Sequence, residues 1–194
     1  MINDSIKFLV QSIEKSPVLV ENGCNYQKLS NIFPNELLTE LADCNPSSVL
    51  VKKLENQISY PRVRIDYAET ISKKINLIFK SKKITELFEN KYNLKLVAQT
   101  TDIWFDSKGY NLSPHTDNPE LAMSMQIYLD TNKNIPGTAL FESKDATSPF
   151  CQFKYERNNG YSLLNNQTGY HGTAFAMETT DIRKSVYVRY GKRT

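Results

Sequence analysis

Beyond Asn93 the chain breaks into short extended runs separated by turn residues, and this regular interruption restricts its fold more than any other feature. The runs are Leu96 to Phe105, Met123 to Leu129, Ala139 to Phe141, Phe150 to Tyr155, Tyr161 to Leu164 and Ser185 to Tyr190. Ser107-Lys108-Gly109, Asn134 to Gly137 and Asn158 to Gly160 part them, and Asn159-Gly160 is a tight-turn signal. Several short strands at such spacing predict a sandwich or barrel rather than alternating parallel units.

The first half reads differently. Ile6, Leu9, Val10 and Ile13 share one face of a helix over residues 4–15, with Asp4 placed to cap it. Val18 to Glu21 and Tyr26 to Phe33 read as extended, and Pro34 introduces a helix over 35–43. Val49 to Val51 and Pro61 to Ile65 are expected strands. From Ala68 to Tyr92 apolar residues recur as in one broken helix or two, and Lys73 to Lys83 fits the solvated face of such a helix. No linker or repeat divides the chain. A length of 194 residues fits one domain, with 1–95 as a supporting region and 96–194 as the barrel core.

Composition removes some classes of function. At 40% hydrophobic and 23% charged the chain is globular, and a net charge of +3 from lysines scattered among acids is too mild for a nucleic-acid surface. Cys24, Cys44 and Cys151 are odd in number and widely spaced, so neither a disulfide framework nor a cysteine zinc site is indicated. No window is long and apolar enough to span a membrane. A soluble cytoplasmic protein, monomeric or weakly dimeric, is the expectation.

Two strands carry more polar residues than packing needs. Met123, Met125, Ile127 and Leu129 alternate with Ser124, Gln126 and Tyr128; Val186 and Val188 alternate with Arg183, Ser185, Tyr187 and Arg189. Such polar faces belong either to an exposed antiparallel sheet or to a cavity wall. The two histidines of the chain bear on the choice. His115 is followed by Asp117, a spacing that turns both side chains to one side of an extended segment, and His171 lies upstream of the Arg183 strand. Two imidazoles and one carboxylate on one face of an octahedron leave three positions open, the arrangement used for non-haem Fe(II) oxygen chemistry. Trp104, Met123 and Met125 read as core.

These features together resemble the Fe(II)- and 2-oxoglutarate-dependent dioxygenases, especially their prolyl-hydroxylase-like branch. The likeness covers roughly residues 97–191 and rests on FDSKGYNLSPHTDNP from Phe105, IYLD from Ile127, PGTALF ending at Phe141, YHGT from Tyr170 and RKSVY from Arg183. NYQKLSNIFPNELLTELADC, from Asn25, looks like the leading strand and first supporting helix of that branch. The resemblance implies a mainly β fold with supporting helices: a double-stranded β-helix (jelly-roll, cupin-like) barrel with N-terminal helices packed on one sheet. It implies Fe(II) held by His115, Asp117 and His171, with 2-oxoglutarate and O2 as co-substrates. Arg183, twelve residues beyond His171, and Ser185 match the common Arg-x-Ser pair that binds the far carboxylate of 2-oxoglutarate, a task suited to a planar guanidinium fork. Tyr128 and Gln126 fall on the same wall. Where the branch often has a tyrosine touching the co-substrate this chain has Phe105, so that contact is either absent or replaced, with Tyr110 as the candidate replacement. Arg189 is the alternative to Arg183, or a residue on the substrate side.

The activity so implied is hydroxylation with release of succinate and CO2. The substrate is a small molecule, an amino acid or a peptide or protein side chain. Two rivals stand beside it: a non-catalytic barrel that binds a metal or small ligand as a sensor or interaction module, and a zinc hydrolase, for which the sequence offers no general base beside the ligands.

Overall fold

The computed structural model describes residues 2–44, 51–53, 62–65 and 70–193. Among the described residues four helices form where apolar residues recur at helical spacing. α1 (Ile2–Lys15) buries Leu9, Val10 and Ile13. α2 (Asn35–Ala42) follows an extended Pro34. Ala68 and Glu69 lie outside the described residues; from residue 70 to 92 the expected helical segment is two helices, α3 (Thr70–Phe79) and α4 (Lys82–Tyr92). The break is chemical: the Ser81 side chain accepts the Ile84 amide and starts α4, and Asn93 ends it in the left-handed conformation at φ 52°. Lys73, Lys80, Lys82 and Lys83 lie on the exposed side.

Eleven strands are described: β1 (Leu19–Glu21), β2 (Cys24–Ser30), β3 (Val51–Lys53), β4 (Arg62–Ile65), β5 (Leu96–Asp106), β6 (Leu121–Tyr128), β7 (Thr138–Phe141), β8 (Cys151–Gln152), β9 (Asn159–Leu164), β10 (Tyr170–Thr173) and β11 (Arg183–Lys192). Val49, Leu50 and Pro61, expected in strands, lie outside the described residues. Every pairing is antiparallel. Eight strands form a large sheet in the order β1-β2-β9-β6-β11-β5-β4-β3, and three form a small one, β10-β7-β8. An isolated bridge between His115 and His171 extends the small sheet by one position. The architecture is a jelly roll, mostly β.

The large sheet is covered on both faces. On one, α1, α3 and α4 pack over Ile103, Phe105, Met123, Met125, Ile127, Val186 and Val188, which makes the two methionines core residues as expected. The other face looks toward the small sheet, and its polar residues are buried as well: Ser124 and Ser185 are fully buried and Gln126 nearly so. An exposed sheet face is thereby excluded, and the polar stripe is interior.

Two sequence expectations shift. The run Phe150 to Tyr155 pairs as strand only at Cys151–Gln152. Asn159-Gly160 is not the turn; both residues open β9, and the chain reverses one step earlier, at Asn158, with φ 63°. Gly160 is needed for close approach instead, since a Cβ there would stand 2.1 Å from the Gln126 carbonyl oxygen of β6. Asn158 clasps the N-terminal region to the barrel. Its side chain accepts the Ile32 and Phe33 amides at 3.1 and 2.8 Å and donates to the Phe33 carbonyl at 2.9 Å. Asn158→Ala strands these buried groups, at about 1–3 kcal/mol for each one left unpaired. Urea denaturation is expected to show a lower midpoint, by about 2–4 kcal/mol in stability, with an unchanged slope.

Candidate metal centre and cavity

His115 and Asp117 lie in the loop between β5 and β6, whereas His171 stands in β10. The backbone brings them together. The His115 amide donates to the His171 carbonyl at 3.0 Å and the His171 amide returns the bond at 2.8 Å, so two side chains 56 residues apart become immediate neighbours. One ligand atom from each of His115, Asp117 and His171 lies within 4.8 Å of the others, and the Nε2 of His171 is 3.6 Å from an Asp117 oxygen.

The ring orientations fit a metal. His115 Nδ1 lies 3.0 Å from the Ser113 carbonyl and His171 Nδ1 lies 3.1 Å from the Gly169 carbonyl. A carbonyl only accepts, so each Nδ1 carries the proton and each Nε2 keeps a lone pair. Burial, and then the neighbouring His171 imidazole, push the His115 pKa down and favour the neutral, ligating form. Asp117 is oriented by the Tyr187 hydroxyl, which donates to its carboxylate at 3.2 and 3.3 Å. Burial, followed by the Asp117 charge, raises the Tyr187 pKa, so the phenol retains that proton. This donor set suits a divalent cation with open positions.

The three residues sit in a cavity of about 250 Å³. One wall is made by β4, β5 and β11, whose registers align residues in rows. Arg62, Asp106 and Arg183 are direct cross-strand partners, as are Arg64, Trp104 and Ser185; Asp102 then pairs with Tyr187. Asp106 is fully buried between two arginines. Arg62 donates to both its oxygens, and Arg183 Nη1 donates to Oδ2 at 2.6 Å. Arg183 Nε reaches the Pro136 carbonyl at 3.0 Å and Nη2 the Gln126 side-chain oxygen at 3.3 Å. Burial alone would depress the Arg183 pKa, but Asp106 beside it, with Tyr110 and Tyr128, reverses the direction and keeps it charged.

The sequence-predicted residues divide by position. Tyr110, Gln126 and Arg189 line the cavity together with the three candidate ligands. Arg183 and Ser185 are buried behind the lining, Ser185 accepting from the Gln126 amide at 2.9 Å. Tyr128 is also behind it; its hydroxyl oxygen accepts the Thr138 amide at 2.7 Å and its ring meets Tyr155 edge-on. Phe105 lies in the helix-side core opposite Val63 and Lys184 and makes no part of the cavity lining, in keeping with the absence of a co-substrate contact at that position. Trp104 is a correction: it is wall rather than core, stacked on Tyr187 at 4.2 Å with the Arg62 guanidinium 3.9 Å above its ring. The alternation Asp102, Trp104, Asp106 against Ile103, Phe105 carried this phase. Arg62 was missed, because only its register with Asp106 brings it to the site.

No family model and no curated protein matches the chain. Solved structures do. A Pseudomonas putida prolyl-4-hydroxylase superposes with a TM-score of 0.65 at 12% identity, covering 97% of this chain and 100% of that one. HygX from Streptomyces hygroscopicus, solved with nickel, 2-oxoglutarate and hygromycin B, gives 0.62 at 12% identity over 86% and 82%. SnoN, a non-haem α-ketoglutarate-dependent epimerase from nogalamycin biosynthesis, gives 0.64 at 11% identity over 99% and 85%. With its two antiparallel sheets and helical cover, this chain has the fold shared by the Fe(II)- and 2-oxoglutarate-dependent oxygenases, prolyl hydroxylases among them.

Proposed function

We propose that the protein is an Fe(II)- and 2-oxoglutarate-dependent oxygenase that hydroxylates a substrate while releasing succinate and CO2. The observation that carries this reading is the convergence of His115, Asp117 and His171 on the cavity, with each Nδ1 facing a backbone carbonyl and the carboxylate held by Tyr187. When bound, Fe(II) supplies the activation of O2 that side chains cannot. The neighbours solved with nickel or iron and 2-oxoglutarate support the cofactor assignment. The epimerase among them marks hydroxylation as one of the outcomes this fold hosts.

The chain's own residues have separable tasks. His115, Asp117 and His171 would hold the metal, to which the 2-oxo acid end of the co-substrate would bind. The far carboxylate is received at the Arg62–Asp106–Arg183 end, where two guanidinium groups share one carboxylate and leave one positive charge over. Arg183 is the residue that the Arg-x-Ser resemblance names, and Arg62 is the guanidinium that lines the cavity. Tyr110, protonated because burial lifts its pKa to about 12, is hydrogen bonded to Arg62 and completes that end. The overall change is balanced: one atom of O2 enters the substrate C–H bond and the other appears in succinate, with CO2 leaving.

Anaerobic addition of Fe(II) and 2-oxoglutarate tests the reading, since chelation is expected to produce a weak visible charge-transfer band. Arg62→Ala is expected to raise the 2-oxoglutarate concentration that half-saturates this band about 10- to 100-fold, the worth of a charge-assisted hydrogen bond. A folded protein that binds Zn(II) tightly yet gives no band overturns the oxygenase reading.

A further inference from the structure

The Arg–Asp–Arg arrangement occurs twice on the same wall. Asp102, nearly buried, takes Arg189 on one oxygen, while Arg64 Nη1 lies 3.7 Å from the other. Arg62 and Arg64 point to the same face of β4, opposite Val63 and Ile65, which join the core. Each unit holds two guanidinium groups against one carboxylate, so each carries one surplus positive charge. Unbalanced charge at a partly desolvated wall is costly unless an anion arrives to meet it.

The two units differ in what can neutralise them. Given the oxygenase reading, 2-oxoglutarate brings two carboxylates: one end goes to the metal and the other to the Arg62–Asp106–Arg183 unit. Nothing of the co-substrate is left for the second unit. Arg189 lines the cavity, its Nε has no hydrogen-bond partner among the described residues, and its guanidinium rests near the Tyr187 ring at 5.9 Å. It stands two residues along β11 from Tyr187, the residue that holds Asp117, roughly 7 Å in a strand.

From this geometry we infer that the primary substrate is a small carboxylic acid whose carboxylate is bound by Arg189 of the Arg64–Asp102–Arg189 unit. Arg189 lines the same cavity as His115, Asp117 and His171, so a carboxylate held there belongs to a molecule lying beside the candidate metal ligands. A cavity of about 250 Å³ lies below the roughly 300–1,000 Å³ of sites for drug-sized ligands, which favours a small substrate over a large one. A guanidinium fork matches a carboxylate bidentately, which distinguishes an acid from its amide.

The inference rests on the oxygenase reading, and the test separates the two. The full chain is loaded with Ni(II), which does not turn over, and saturated with 2-oxoglutarate. Binding of free amino acids and short mono- and dicarboxylic acids is then compared with that of their carboxamides and of phosphate monoesters, by calorimetry and thermal shift. At least one acid is expected to bind about tenfold or more tightly than its amide and to stimulate succinate release in the Fe(II) enzyme. Arg189→Gln and, separately, Arg64→Gln are expected to narrow that preference to under about threefold, whereas Arg189→Lys retains part of it. If the charge-transfer band forms and amides bind as well as acids, phosphate esters bind better, or no acid binds, the substrate assignment is overturned while the oxygenase reading stands. Absence of the band with Fe(II) and 2-oxoglutarate overturns both.

Discussion

Asp117→Ala is expected to reduce 2-oxoglutarate-dependent succinate release more than 100-fold, since even residues that merely orient metal ligands cost about 10- to 100-fold when removed. The substitution takes the sole carboxylate from the candidate ligand set and leaves only the two imidazoles to hold a divalent ion. It also deprives the Tyr187 hydroxyl of its acceptor. Asp117 lies in a loop, and the His115–His171 bridge is made by backbone atoms that the change does not touch, so the fold is expected to survive. His115→Ala is expected to act in the same way. Metal titration followed by a succinate assay checks the result; an Asp117→Ala protein that keeps a tenth or more of the wild-type rate would refute the proposed ligand set.

The largest effect on stability is expected at Asp106. Removing one partner of a buried ion pair costs about 3–5 kcal/mol, because the remaining charge is left desolvated and uncompensated. Here one fully buried carboxylate serves both Arg62 and Arg183, so Asp106→Ala leaves two guanidinium groups in that position. At about 2–4 °C per kcal/mol for a chain of this size, the melting temperature should fall by roughly 6–20 °C. Arg62→Ala, by contrast, leaves the Arg183–Asp106 pair intact and is expected to be milder. Calorimetry on the two variants distinguishes them, and a shift within about 2 °C for Asp106→Ala would show that the cluster does not hold the barrel together.

Part of this site was readable in the residues. His115, Asp117 and His171 stood out because histidine occurs twice in the chain and the spacing His-x-Asp has a geometric meaning on extended backbone. Gln126 and Arg189 followed from alternation within single strands. Alternation alone cannot say how deep a residue lies: it puts Arg183, Ser185 and Tyr128 on the same wall as Gln126, whereas in the fold these three lie behind the lining. Arg62 depends on information of another kind. It lies some forty residues before Asp106 in the chain, and only the pairing of β4 with β5 makes them neighbours. Register is a property of the assembled sheet, set by which faces are buried, and no local pattern at Arg62 announces its partner. Trp104 and Phe105 show the opposite case: the phase was present in the alternation, but bulk and aromaticity alone assigned the tryptophan to the core. The sequence Asn159-Gly160 suggests a turn, whereas the demand on Gly160 comes from the Gln126 backbone of a neighbouring strand.

The position of Trp104 has a practical consequence. It is the chain's single indole, held between the Tyr187 ring and the Arg62 guanidinium on the cavity wall. Its near-ultraviolet emission therefore originates from one place, the place where ligands would arrive. Displacement of Arg62, reorientation of Tyr187 or the approach of a transition metal would each alter that emission, and no other residue contributes a tryptophan background. The protein thus carries an intrinsic optical reporter, so occupancy of the cavity can be followed without label, and separately from turnover.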